Sequence, residues 1–187
     1  MSKVAIVGDP SGTGTFTISA PNGNTDRTLV LPDEAGTVLT TAGVPASAMP
    51  AGSVIQVVKG TVPTAPDTFS SATLAASSLY VDITPSSASS KIYITATFNL
   101  DPLGANNGWG NLFRDSVDLS LTGTAYASFY LNPISTRVLT GASIIYLDSP
   151  NSTSSLRYRI YGATNGATMQ FRHDIQTPQI IAMEIAG

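Results

Sequence analysis

The chain has 187 residues, room for one ordinary domain and an accessory segment but not for two full domains. Charged residues make up 11% of it and the formal net charge is −3, with no run gathering Lys and Arg, so the electrostatic footprint of a nucleic-acid partner is missing. There is no cysteine, which excludes a disulfide framework and a thiolate metal site, and the 42% hydrophobic content is too high for a disordered chain.

In chain order, Val4-Ala-Ile-Val-Gly-Asp-Pro-Ser-Gly-Thr-Gly-Thr superficially suggests a phosphate-binding loop after a strand. It lacks the Lys that reaches the phosphates, and Gly14 leads into alternating residues rather than into a helix whose N-terminus would complete an anion site. Thr17 also occupies the place where a dinucleotide fingerprint needs its third glycine. The short apolar run near Met1 falls far short of a signal peptide or membrane span, so a soluble protein made in the cytoplasm, without membrane insertion, is expected.

Three short runs follow, Gly14–Ala20, Arg27–Leu31 and Gly36–Thr40, separated by turn-rich spacers such as Pro21-Asn22-Gly23-Asn24. None is long enough to bury much by itself. Their apolar residues, Phe16, Ile18, Leu29, Leu31, Val38 and Leu39, need a surface elsewhere, either on the C-terminal domain or on copies of the same segment in other chains, and the second option suits attachment and intertwining in a homotrimer. The reading is therefore an N-terminal short-strand β module over residues 1–43. A linker follows over residues 44–52, rich in Ala, Gly and Pro, and a β-sandwich of jelly-roll type over residues 53–187.

Within the third segment, period-two alternation is clearest in Lys91–Leu100, where Ile92, Ile94, Ala96, Phe98 and Leu100 share one face. Val117, Leu119 and Leu121 repeat the pattern, as do Leu156, Tyr158 and Ile160 against Arg157, Arg159 and Tyr161, and Ile181, Met183 and Ile185 against Ala182 and Glu184. With Ser53–Lys59, Leu79–Thr84, Tyr126–Leu131, Ile144–Asp148 and Thr168–Arg172 these give roughly nine strands, an all-β chain. Phe69–Ala76 has room for a single helical turn.

Asp101-Pro-Leu-Gly-Ala-Asn-Asn-Gly-Trp-Gly-Asn reads as a long polar loop carrying the only Trp. An indole beside amides suits sugar rings, which makes Asn106, Asn107, Trp109 and Asn111 candidate contacts with a host surface glycan. The competing reading is Trp109 as a plug packed into the sandwich. Asp115 and Asp118 are three apart and would face opposite sides of a strand, so they form no acid pair. Asp67, Asp82, Asp101, Asp148 and Asp174 read as solvated turn residues. His173 is the sole His and no nucleophile elbow accompanies it. Arg157 and Arg159 read as a salt-bridged exterior. No catalytic residue, metal ligand or cofactor is expected.

The run from Ser11 through Phe16 and Ile18 to Asn24, then Arg27-Thr-Leu-Val-Leu-Pro-Asp and Gly36-Thr-Val-Leu-Thr-Thr, resembles the N-terminal modules of phage tail fibre and virion structural proteins. Ile83-Thr-Pro-Ser-Ser-Ala-Ser-Ser-Lys-Ile, Leu112-Phe-Arg-Asp-Ser, Leu147-Asp-Ser-Pro-Asn-Ser-Thr and Met183-Glu-Ile are similar to the β-rich domain of fibre-like proteins of aquatic, cyanophage-like bacteriophages. The resemblance implies a trimeric virion component assembled in the host cytoplasm, partnered by tail or major capsid protein. Similar modules serve as short fibres, tail-tip proteins and capsid decorations, and the last remains the alternative.

Overall fold

The computed structural model describes residues 10–15, 17, 22–26, 28, 48–61, 63–103, 107–119, 129–131 (backbone), 139–166, 168–172 and 177–187. The chain divides into two compact units, Met1–Val38 and Leu39–Gly187. In the first, the described residues are a turn at 10–11, bends at 22–25 and a few positions without regular structure, all exposed. The six expected attachment residues, Phe16, Ile18, Leu29, Leu31, Val38 and Leu39, lie outside the described residues, as do the linker positions up to 47, Asn106 and His173.

The second unit holds strands β1 (Val54–Lys59), β2 (Asp67–Phe69), β3 (Ala75–Ile83), β4 (Lys91–Pro102), β5 (Asn107–Arg114), β6 (Val117–Asp118), β7 (Phe129–Leu131), β8 (Thr140–Asp148), β9 (Leu156–Asn165), β10 (Met169–Phe171) and β11 (Gln179–Ile185). The first sheet runs β1-β11-β4 with β8 on the other side of β4, and β10 and β2 continue it past the end of β11. The second runs β3-β9-β5 with β6 and β7 along the far edge of β5. Every pairing is antiparallel. Counting only β1, β3, β4, β5, β7, β8, β9 and β11, the two sheets contain the first, eighth, third and sixth strands and the second, seventh, fourth and fifth. That is the double Greek-key order of a jelly roll.

The core sits between the sheets. Ile92, Ile94, Ala96, Phe98 and Leu100 of β4 all point into it, as their alternation predicts, facing Leu79, Val81 and Ile83 of β3 and Leu156, Tyr158 and Ile160 of β9. At one end Phe171 packs between Phe69 and Phe98, with ring centroids 4.6 and 5.0 Å away. Space for this cluster comes from glycine. A Cβ on Gly162 would meet both Phe171 and Phe69, and one on Gly108 would meet the Met169 thioether.

Three expectations are corrected. Phe69–Ala76 contains no helical turn; it passes from the end of β2 through bends into β3. The stretch around Trp109 is no long loop, because residues 107–114 form β5, a strand paired on both edges. On β11 the buried side is Ile180, Ala182 and Glu184, so Ile181, Met183 and Ile185 lie on the outer face.

Candidate functional site: the outer faces of the two sheets

On β5 the core-facing positions are Gly108, Gly110 and Leu112, which turns Trp109, Asn111 and Phe113 to the outer face of the second sheet, opposite Ala163, Tyr161 and Arg159 of β9. Phe113 stacks on Tyr161 with centroids 4.0 Å apart. Next to them, the guanidinium groups of Arg157 and Arg159 lie 4.2 and 4.7 Å from the centre of the Tyr80 ring, close enough for cation–π attraction. Arg157 also makes a two-pronged ion pair with Asp82, both contacts 2.7 Å. That hydrogen-bonded guanidinium, more than its through-space charge, holds the Asp82 carboxyl below the usual carboxylate range. The expected salt-bridged exterior is thus present at Arg157.

Two residues of the sugar-contact expectation are buried. Trp109 is 4% exposed and Asn111 is fully buried, with its Nδ2 donating to Asp118 at 2.7 Å. Asn107 opens the strand, its carbonyl accepting from the Thr164 hydroxyl at 3.0 Å. The chain brings Asn107, Trp109 and Asn111 onto one strand but does not offer the indole or the Asn111 amide to a ligand. Outward orientation and exposure are separate properties, and here only the first is met.

The outer face of the first sheet is different in kind. Cross-strand register lines up Leu147, Tyr93, Met183 and Val57 in one row, Ile145, Thr95, Ile181 and Lys59 in the next, and Lys91, Ile185 and Val54 in a third. Four of these aliphatic side chains are well exposed: Ile145 at 65%, Val57 at 58%, Leu147 at 54% and Val54 at 48%. The strip carries two lysines and no carboxylate. At its corner a cavity of about 500 Å³ opens between Gly52, Lys91, Tyr93, Leu147, Ile185 and Gly187. A sandwich whose outer sheet faces water normally alternates apolar and polar residues along each strand, and β8 and β11 do not.

What the carboxylates do is equally informative. Glu184, fully buried, accepts hydrogen bonds from the Ser86 amide and hydroxyl at 2.7 and 2.6 Å, from the Ser90 hydroxyl at 2.7 Å and from the Gln56 amide at 2.6 Å. Burial by itself would raise this carboxyl, but those bonds outweigh it and leave it below the usual range. The result ties β1 and the β3–β4 turn to β11. Asp148 of the first sheet accepts from Arg114 at 2.6 Å and from the Tyr158 hydroxyl at 2.7 Å, both from the second sheet, closing the sandwich across its layers. Burial, reinforced by the bond to Asp148, pushes the Tyr158 phenol far up. Asp101 is fully buried and bridged to Arg172 at 2.9 Å, and Asp67 caps Ser78 through its amide and hydroxyl. Asp101 and Asp148 are therefore buried cross-links rather than the solvated turn residues expected. Asp115, at φ 53°, is a turn residue, and its carboxylate accepts from the Arg157 amide.

No protein-family model and no curated protein matches this chain.

Among the described residues, no three His, Cys, Asp or Glu side chains gather closely enough to hold a metal ion. The sequence did not point to Glu184, Gln56, Ser86 and Ser90, or to Asp148, Arg114 and Tyr158, as cooperating sets. The one available signal was a Glu at a period-two position among Ile180 and Ala182.

Proposed function

We propose that this chain is a non-enzymatic structural protein of a bacteriophage particle, a trimeric tail fibre-like or tail-tip component. The observation that carries the reading is the outer face of the first sheet, a contiguous aliphatic strip that a domain working in isolation would gain nothing by exposing. Two others agree with it. The described carboxylates of the sandwich are spent on fastening strands to one another, which leaves them poorly placed for acid–base work. Jelly rolls also recur in viral capsid and lectin domains, an analogy at the level of fold. The resemblance of Arg27–Asp33 and Ile83–Ile92 to virion proteins supplies the phage context.

Quantitative protein analysis of purified particles tests this. The chain should be present at a few to a few dozen copies per particle and should be lost with the tail. Hundreds of copies would replace the tail assignment by capsid decoration. Absence from the particle would refute the structural reading altogether, and release of oligosaccharide from host polysaccharide by the purified chain would refute its non-enzymatic character.

A further inference from the structure

We propose that Asn165 is a site of spontaneous covalent modification, its side-chain amide converted to aspartyl and isoaspartyl forms through attack by the backbone nitrogen of Gly166.

The reaction needs an Asn followed by a residue whose backbone nitrogen can fold back onto the Asn side chain, and glycine obstructs that ring closure least because it has no Cβ. A bond forms between Gly166 N and Asn165 Cγ while the Cγ–Nδ2 bond breaks, and Nδ2 leaves as ammonia with the proton of the Gly166 amide. Water then opens the five-membered imide. Cleavage between Cγ and N restores the chain with a normal aspartate. Cleavage between N and the Asn165 backbone carbonyl leaves the main chain running through Cγ, one methylene longer.

Three Asn-Gly pairs occur in the sequence, at 22–23, 107–108 and 165–166, and the fold separates them. Asn165 is the last residue of β9 and is exposed, as is Gly166. The ladder to β5 ends at this residue, opposite Asn107, and among the described residues the Gly166 amide makes no hydrogen bond. Gly166 takes φ 115°, in the region that favours glycine, so the peptide following Asn165 has left the extended path of the strand. Asn107, directly across the ladder, has the same two-residue sequence in the opposite situation. Gly108 is buried and paired on both edges, with Thr164 of β9 and Leu131 of β7. A Cβ at Gly108 would already collide with the Met169 thioether, and the Asn107 carbonyl accepts from the Thr164 hydroxyl at 3.0 Å. The peptide between Asn107 and Gly108 therefore cannot turn into the ring without β5 opening. Asn22 and Gly23 lie in an exposed bend with open space around Gly23, which makes that pair a standard for unhindered reaction within the same chain.

Either product adds a carboxylate to a chain of net charge −3. The isoaspartyl form also lengthens the main chain where only residues 166–168 connect β9 to β10, next to Met169 and Phe171, which fill the end of the core.

The test incubates the purified full chain in mildly alkaline buffer and follows each Asn-Gly peptide by mass mapping, with isoaspartyl methyltransferase and labelled S-adenosylmethionine as a second readout. Asn165 should convert at a rate close to that of Asn22. Asn107 should convert at least about tenfold more slowly, since even a local opening costing about 1.4 kcal/mol leaves only a tenth of the molecules reactive. In urea the three rates should converge. Gly166→Ala should abolish methyl labelling at Asn165 while Asn22 in the same molecules is labelled as before. Conversion of native Asn165 as slow as that of Asn107 would overturn the proposal, and so would labelling at Asn165 that persists in Gly166→Ala. An Asn107 that converts as fast as Asn165 in the native chain, or stays slow in urea, would overturn the claim that the fold selects between them.

Discussion

Gly162→Ala adds one methyl group where the second sheet meets the aromatic cluster. The new Cβ would lie 2.8 Å from Phe171 Cζ and 2.8 Å from Phe69 Cε2, whereas carbon atoms rest at about 3.5–4.0 Å. Neither ring can retreat easily, since Phe171 is fully buried, Phe69 is 4% exposed, and Phe98 stands behind Phe171. Overpacking of this kind costs about 1–3 kcal/mol. Against it stands about 0.5–1 kcal/mol gained by replacing a strand glycine with alanine. Gly162 has no left-handed backbone, so no conformational penalty enters. The net expectation is a loss of about 1–2 kcal/mol, which for a chain of this length lowers the melting temperature by about 3–6 °C. Urea titration with an unchanged slope and a lower midpoint is the measurement. Phe69→Leu should absorb the methyl, so the double variant should be less destabilised than the two single effects added together. A Gly162→Ala midpoint at or above wild type, or strict additivity, would refute the packing argument.

Acid should weaken the fold through Glu184. Its folded-state carboxyl lies below the usual range, so its contribution is intact above the unfolded value of about 4.3 and is lost as pH falls through the folded value. Urea midpoints followed downward from neutral pH should drop more steeply for wild type than for Glu184→Gln; identical acid limbs would exclude this group as the cause. Tyr158→Phe removes a hydroxyl donating to Asp148 and should cost about 1.5–3 kcal/mol at neutral pH, read from the same titration. An unperturbed midpoint would mean that the inter-sheet bond contributes nothing net. Trp109, the only tryptophan, should emit at short wavelength in the native chain and resist acrylamide, becoming accessible on unfolding. Ready quenching in the native state would restore it as a surface residue.

How legible the fold was depended on whether a strand displays its own alternation. β4 does, because each of its core positions from Ile92 to Leu100 is apolar and four of the five are large, so its face was readable. β5 hides it: two of its core positions are Gly108 and Gly110, so a central strand reads as a glycine-rich loop with a tryptophan in it. Gly108 is explained only by Met169, a side chain from another strand that fills the space, and its counterpart on β9, Gly162, only by Phe171 and Phe69.

Local pattern by itself determined that the chain is all-β and that β4 and β9 bury the faces they do. Side chains alternate along a strand whatever the strand pairs with, so these properties need no knowledge of neighbours. Tertiary structure alone decided which side of β11 is inside. A carboxylate can be buried only where donors converge on it, and Gln56, Ser86 and Ser90 reach Glu184 from up to 128 residues away. With Glu184 held inward, Ile181, Met183 and Ile185 must face out, and register then sets them beside Val57, Tyr93, Ile145 and Leu147 as one aliphatic surface.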